Sequence, residues 1–147
     1  MKTLKILMLV AFLALTFSAY AENNFVKEDQ GEIEQVITNF VKSVDSRNAN
    51  DLSKSILSSA SIVVVNDLTK SIDSYSGSQF VNLVKDGQKG GWQRNVNVSS
   101  VDLDGNTAIA KVDITDSRLK ETGYFSLIKD NGAWKVAGEF TTLKFNK

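Results

Sequence analysis

The sequence has no cysteine and no histidine in its 147 residues. The first absence excludes disulfides, so stability must come from burial of a core. It also leaves no thiol that could carry a lipid anchor behind a leader. The second absence removes the commonest general base and the commonest metal ligand together. Zinc sites built on nitrogen or sulfur donors are excluded, as is Ser-His or Cys-His nucleophilic machinery. Any catalysis must use Asp, Glu, Tyr, Lys or Arg. A dominant charge is missing too, with 17 basic against 17 acidic side chains. Nothing draws the chain to a phosphate backbone, and no nucleic-acid partner is expected. Finally, the apolar run Ile6 to Phe17 falls short of the about 20 residues that a membrane-spanning helix needs.

That short run has a different reading. Lys2 and Lys5 precede it, and Ala19-Tyr20-Ala21 follows as an A-x-A-type cleavage site. Residues 1–21 are expected to be a signal peptide, with a mature chain beginning at Glu22. The protein is then exported, to the periplasm or the external medium, and keeps no membrane attachment after cleavage. Lys2 and Lys5 leave with the leader, so 15 of the 17 basic side chains remain against 17 acidic, a net charge of about −2. The remaining 126 of 147 residues suit one domain, 22–147, with one core.

Along that domain, 22–31 is polar and reads as loose. From Glu32 the apolar residues Ile33, Val36, Ile37, Phe40, Val41 and Val44 recur at helical spacing and form a single stripe. Asn50 or Asp51 reads as the cap of a second short helix through Leu57. Ser61 to Val65 is β-branched and reads as a strand, with Thr69 to Tyr75 a weaker one. Ser76-Gly77-Ser78 supplies a cap for a third helix over Gln79 to Lys85, with Phe80, Val81 and Val84 inward. After the glycine-rich loop Asp86 to Gly91 the period changes to two. Trp92, Arg94, Val96, Val98 and Ser100 are placed on one face, as are Ala108, Ala110, Val112 and Ile114. The same holds for Glu121, Gly123, Phe125 and Leu127, and for Trp134, Val136, Gly138 and Phe140. Helices first and strands after, without βα alternation, predict an α+β fold whose largely antiparallel sheet is covered on one face by three helices.

The segment order and three stretches carry a family resemblance: Ile33 to Val44, Asn48-Ala49-Asn50-Asp51-Leu52, and Phe125 to Val136 with its Asp130-Asn131-Gly132 turn. The mature chain resembles the nuclear transport factor 2-like superfamily, whose cystatin-like roll bends a sheet into a cone that the helices close. Within it the chain is most similar to the family called "Putative lumazine-binding", small and often exported bacterial proteins. The resemblance implies a cavity inside the cone and homodimerisation through the outer face of the sheet. Ketosteroid isomerase, scytalone dehydratase and polyketide cyclases use such a cone as an active site, but none of their motifs transfers residue by residue. No cofactor is implied.

Candidate site residues follow from position. Arg94 and Glu121 share strand faces with apolar residues, so they bind a polar ligand, pair with each other, or sit at strand ends in solvent. Trp92 is a candidate wall and Tyr75 a candidate hydrogen-bond donor at the mouth. Together Tyr75, Trp92, Arg94 and Glu121 form the expected ligand site, with no catalytic and no metal residue. Asp113 alternates against Ala108 to Ile114 and is expected to face water. Glu139 is expected outside as well, beside Gly138 and Phe140. Asp102 to Asn106 has its glycine at the wrong position for a calcium loop and reads as a hairpin turn. The expectation is a non-catalytic domain with a cone-shaped pocket for a small molecule or for assembly. The alternatives are an isomerase, cyclase or dehydratase with a carboxylate base, and a purely structural dimerisation module.

Overall fold

The computed structural model of the protein describes residues 27–146, so the expected signal peptide over 1–21 lies outside the described residues. The chain divides into two units, 1–31 and 32–147. In the first, the described residues 27–31 are helical and not the loose segment expected; Lys27, Glu28 and Gln30 are all good helix formers. No helix among the described residues is long and apolar enough to cross a membrane.

In the second unit the first helix, α1, covers residues 32–45. Its stripe Ile33, Ile37, Phe40, Val41 and Val44 is buried throughout, as its spacing requires. A second helix, α2, spans Ala49–Ser55 and is capped by Asn48, whose side chain accepts the Asp51 N–H at 3.1 Å. The cap therefore precedes the Asn50 or Asp51 expected. The helix ends before Leu57 because Ile56 already turns extended. Strand β1 runs Ile56–Asn66 and β2 Ser71–Ser76. The third helix, α3, spans Gly77–Lys85 behind a reciprocal cap: the Ser76 hydroxyl accepts the Gln79 N–H, and the Gln79 side chain accepts the Ser76 N–H. Strands β3 (Asn95–Asp104), β4 (Thr107–Thr115), β5 (Leu119–Asp130) and β6 (Ala133–Phe145) complete the chain.

The six strands form one curved, unclosed sheet in the order β2-β1-β6-β5-β4-β3. Every pairing is antiparallel except β1 with β6, which is parallel. Together with the three helices this is the α+β architecture expected. Ala108, Ala110, Val112, Ile114, Phe125, Leu127, Trp134 and Val136 face the helices and are buried. Phe40 joins the layers: it stacks on Phe80 at 5.9 Å and meets Phe125 edge-on at 5.5 Å.

Two register shifts correct the simple alternation. In β3–β4, Val98 pairs with Val112 and Ser100 with Lys111, which leaves Ser99 as the extra residue. Val101 and Leu103, not Ser100, then continue the inner face. In β5–β6, Ser126 pairs with Gly138 but Leu127 with Val136, so Ala137 is extra. A bulge bends its strand and exchanges the two faces beyond it. Phe140, expected inside with Trp134 and Val136, is 57% exposed, and Glu139, expected outside, is buried.

Candidate functional site

A cavity of about 150 Å³ lies between the helices and the inner face of the sheet. Phe40, Val41 and Val44 of α1 and Phe80 of α3 supply its helical wall, and Val64, Ile114, Leu119 and Leu143 its apolar sheet wall. Trp92 and Arg94 come from the loop ahead of β3, Asp116 from the turn after β4, Glu121 from β5 and Glu139 from β6. Glu121 and Glu139 both line this cavity.

The polar groups form one connected line. Asp45, the last residue of α1, accepts Arg94 Nε–H at 2.7 Å and the Arg94 backbone N–H at 2.8 Å. Arg94 Nη1 donates to Glu121 Oε2 at 3.2 Å. Glu121 Oε1 accepts the Thr141 hydroxyl at 2.6 Å, and the same hydroxyl oxygen lies 3.4 Å from Glu139 Oε1. A hydroxyl has one proton to give, and the shorter contact takes it. Burial pushes the Glu139 carboxyl well above the usual carboxylate range, and the neighbouring Glu121 pushes it further; Arg94 pulls the other way. The arrangement is thus a guanidinium and two carboxyl groups in sequence, the second pushed toward its protonated form, opening onto hydrocarbon. Among the described residues no group of three or more acidic side chains is placed to hold a metal ion.

Three of the four residues expected at the site, Trp92, Arg94 and Glu121, line this cavity. Arg94 and Glu121 pair with each other, as one of the three readings held, and Arg94 precedes β3 instead of belonging to it. Trp92 is half exposed at the rim. Tyr75 is not part of the lining. Its ring packs 6.2 Å from Phe80 under the Lys89 ammonium, 5.1 Å away, so Lys89 stands where Tyr75 was expected. Asp113 faces outward, held by Thr122 Oγ1 at 2.6 Å and Lys120 at 3.0 Å. The Thr122 hydrogen bond foremost holds its carboxyl below the usual range; burial, next in size, opposes it, and Lys120 adds to the lowering.

Asp45, Glu139 and Thr141 escaped the sequence reading. Asp45 extends the row Ile33, Ile37, Val41 by one more step of four, which is a legible sign of an inward acid. For Glu139 the available sign was Gly138, since a glycine inside a strand marks a bulge.

A curved, unclosed sheet under three helices, with a cavity between them, places the molecule among the nuclear transport factor 2-like, or cystatin-like, folds. More narrowly, the chain belongs to the "Putative lumazine-binding" family, whose profile matches residues 28–140. No curated protein matches it. Among solved structures, an NTF2-like protein of unknown function from Silicibacter pomeroyi is similar at 14% identity, covering 82% of this chain and 98% of that one with a TM-score of 0.68. An NTF2-like protein of unknown function from Shewanella baltica matches at 18% identity, 84% and 97% coverage and a TM-score of 0.63. A protein with a cystatin-like fold from Novosphingobium aromaticivorans matches at 17% identity, 84% and 86% coverage and a TM-score of 0.63. At such identities the likeness is one of fold.

Proposed function

We propose that the protein is exported and that its cavity holds a small molecule without transforming it. One observation carries this reading: a buried line of charged groups ends on an otherwise apolar cavity. Burying charges is a poor way to gain stability, because desolvation offsets most of their attraction. Such groups converging on a concave apolar space are the ordinary make-up of a ligand site. Both carboxyls stand on the sheet wall, and the helical wall facing them is Phe40, Val41, Val44 and Phe80. That suits anchoring one polar end of a ligand against hydrocarbon. The family's description points to lumazine, and a pteridine is one molecule to test. Native mass spectrometry of protein isolated from its host is expected to show a retained small molecule that Arg94→Ala loses. A bare protein mass under conditions that preserve known complexes would overturn the reading.

A second reading rests on Glu139 itself. Two neighbouring carboxyls, one of them pushed toward its protonated form, make a competent proton donor and acceptor pair, as an isomerase or dehydratase requires. Deuterium uptake from heavy water into a bound enolisable ketone, abolished in Glu139→Gln, would favour it over simple binding; no exchange would remove it.

We also propose a homodimer through the outer sheet face. Ile109, Tyr124 and Phe140, from three neighbouring strands, are each more than half exposed there. Tyr124 pairs directly with Phe140 in register. Apolar side chains clustered this way mark an association surface.

A further inference from the structure

The charges around the cavity are unevenly matched, and this bears on what enters it. This inference rests on the cavity being a ligand site. Two cations line it, Lys89 and Arg94. Lys89 is met outside the cavity by Asp73 at 3.7 Å. Arg94 is held between Asp45 at 2.7 Å and Glu121 at 3.2 Å. Neither cation lacks an acidic partner, so an entering anion would find Arg94 neutralised and Asp116 and Glu121 opposing it. Asp116 is satisfied by the backbone N–H groups of Arg118 and Leu119, each at 2.7 Å. Glu139 makes no ion pair with any described residue. It is 6% exposed and lies across Thr141 from Glu121.

We propose that the cavity recognises an organic cation: a ring-sized apolar body carrying a protonated amine, with the amine seated against Glu139 and Glu121. Its volume of about 150 Å³ is near that of buried apolar cavities known to admit a benzene ring. Phe40 and Phe80 offer aromatic surface to the body, and Trp92 offers it at the rim. The acid pair supplies what an ammonium needs: two carboxyls on adjacent strands, one already charged. When the amine enters, Glu139 gives up its proton to solvent, and the ligand's charge takes the proton's place. Each ligand bound therefore releases up to one proton, and affinity rises with pH until Glu139 is ionised without the ligand. The charged groups bearing on Glu139 during this exchange are Glu121 from β5, Arg94 and Lys89 from the loop before β3, Asp116 from the β4–β5 turn and Asp45 behind Arg94.

The test compares benzylamine, benzyl alcohol and benzoate, which share one ring and differ in charge, by calorimetry on the purified protein at neutral pH. Benzylamine is expected to bind at least about tenfold more tightly than either, a difference of about 1.4 kcal/mol. Calorimetry in two buffers of different ionisation enthalpy should show proton release, and Glu139→Gln should erase both that release and the amine's advantage over benzyl alcohol. The three-probe comparison on the unaltered protein stands even if that variant does not fold. Equal or tighter binding of the alcohol or of benzoate overturns the cation inference and leaves the ligand reading intact. Failure of all three to bind overturns the cation inference, and the mass spectrometry above then decides the ligand reading.

Discussion

Asp45 takes two hydrogen bonds from Arg94, one from the backbone N–H at 2.8 Å and one from Nε at 2.7 Å, and so ties the end of α1 to the loop that enters β3. An acid at a helix C-terminus faces the negative end of the helix dipole, so Asp45 belongs there only because the guanidinium offsets both. The same loop is held by Gly91 N–H on the Asp45 carbonyl at 2.9 Å and by Arg47 Nη2 on the Gly90 carbonyl at 3.2 Å. Removing one partner of a buried pair strands the other. Arg94→Ala is therefore expected to cost about 3 kcal/mol or more, read from urea unfolding, whereas exposed Lys54→Ala, which breaks only a surface pair with Asp51, should fall within experimental scatter.

Glu139 gives stability a definite pH dependence. Its carboxyl is raised by burial first and by Glu121 next, so the folded protein holds a proton that the unfolded chain has already released. By linkage, stability falls as pH rises from the ordinary carboxylate range to the raised value and levels off above it. Each unit of elevation is worth about 1.4 kcal/mol. Glu139→Gln, neutral at all pH, should flatten that decline in thermal melts taken from pH about 4 to 9. A variant as pH-dependent as the parent would show that Glu139 is ionised in the fold. Asp113 acts in the opposite sense: its lowered carboxyl contributes above its unfolded value and loses the contribution as pH falls.

Gly123 offers a purely steric test. A Cβ built there would stand 2.1 Å from the Phe140 carbonyl oxygen and 2.8 Å from Thr141 Cγ2. Both neighbours belong to β6 and cannot yield without opening the sheet. Gly123→Ala should destabilise by about 2 kcal/mol or more, measured as a drop in midpoint denaturant concentration. A wild-type midpoint would mean that β5 and β6 lie further apart.

For the outer face, Phe140→Lys should leave folding intact because the side chain is more than half exposed, yet should convert a dimer to a monomer in sedimentation. A parent protein that is already monomeric at high concentration would dismiss the sheet-mediated dimer.

For export, the protein recovered from outside the cytoplasm is expected to begin at Glu22 when its N-terminus is sequenced. Recovery with Met1 intact would dismiss cleavage.

The regular parts of the molecule were legible because periodicity reports burial. The α1 stripe and the inward rows on β4 and β5 are direct readings of periods near 3.6 and 2. Glu121 was placed inward on the same logic. The reading failed where one residue was inserted into a ladder. Ala137 shifts β6 by one, and a single step exchanges inside for outside, so Glu139 and Phe140 were each put on the wrong face. Arg94 was assigned to a strand that starts one residue later. Its partnership with Asp45 spans 49 residues and has no local signature. The half of the site made by regular strands was thus visible, and the half made by irregularities was not.

The sheet order also governs when this protein can fold. The sixth strand in chain order, β6, lies between β1 and β5, joining the β2-β1 pair to the β5-β4-β3 hairpins. Until residues 133–145 exist, those two halves have no backbone ladder between them. A growing chain can form its hairpins early, but it cannot join β2-β1 to β5-β4-β3 before residues 133–145 are made. Its native structure is closed in one late step, and a chain shortened by that one strand would leave two fragments of sheet with nothing to unite them.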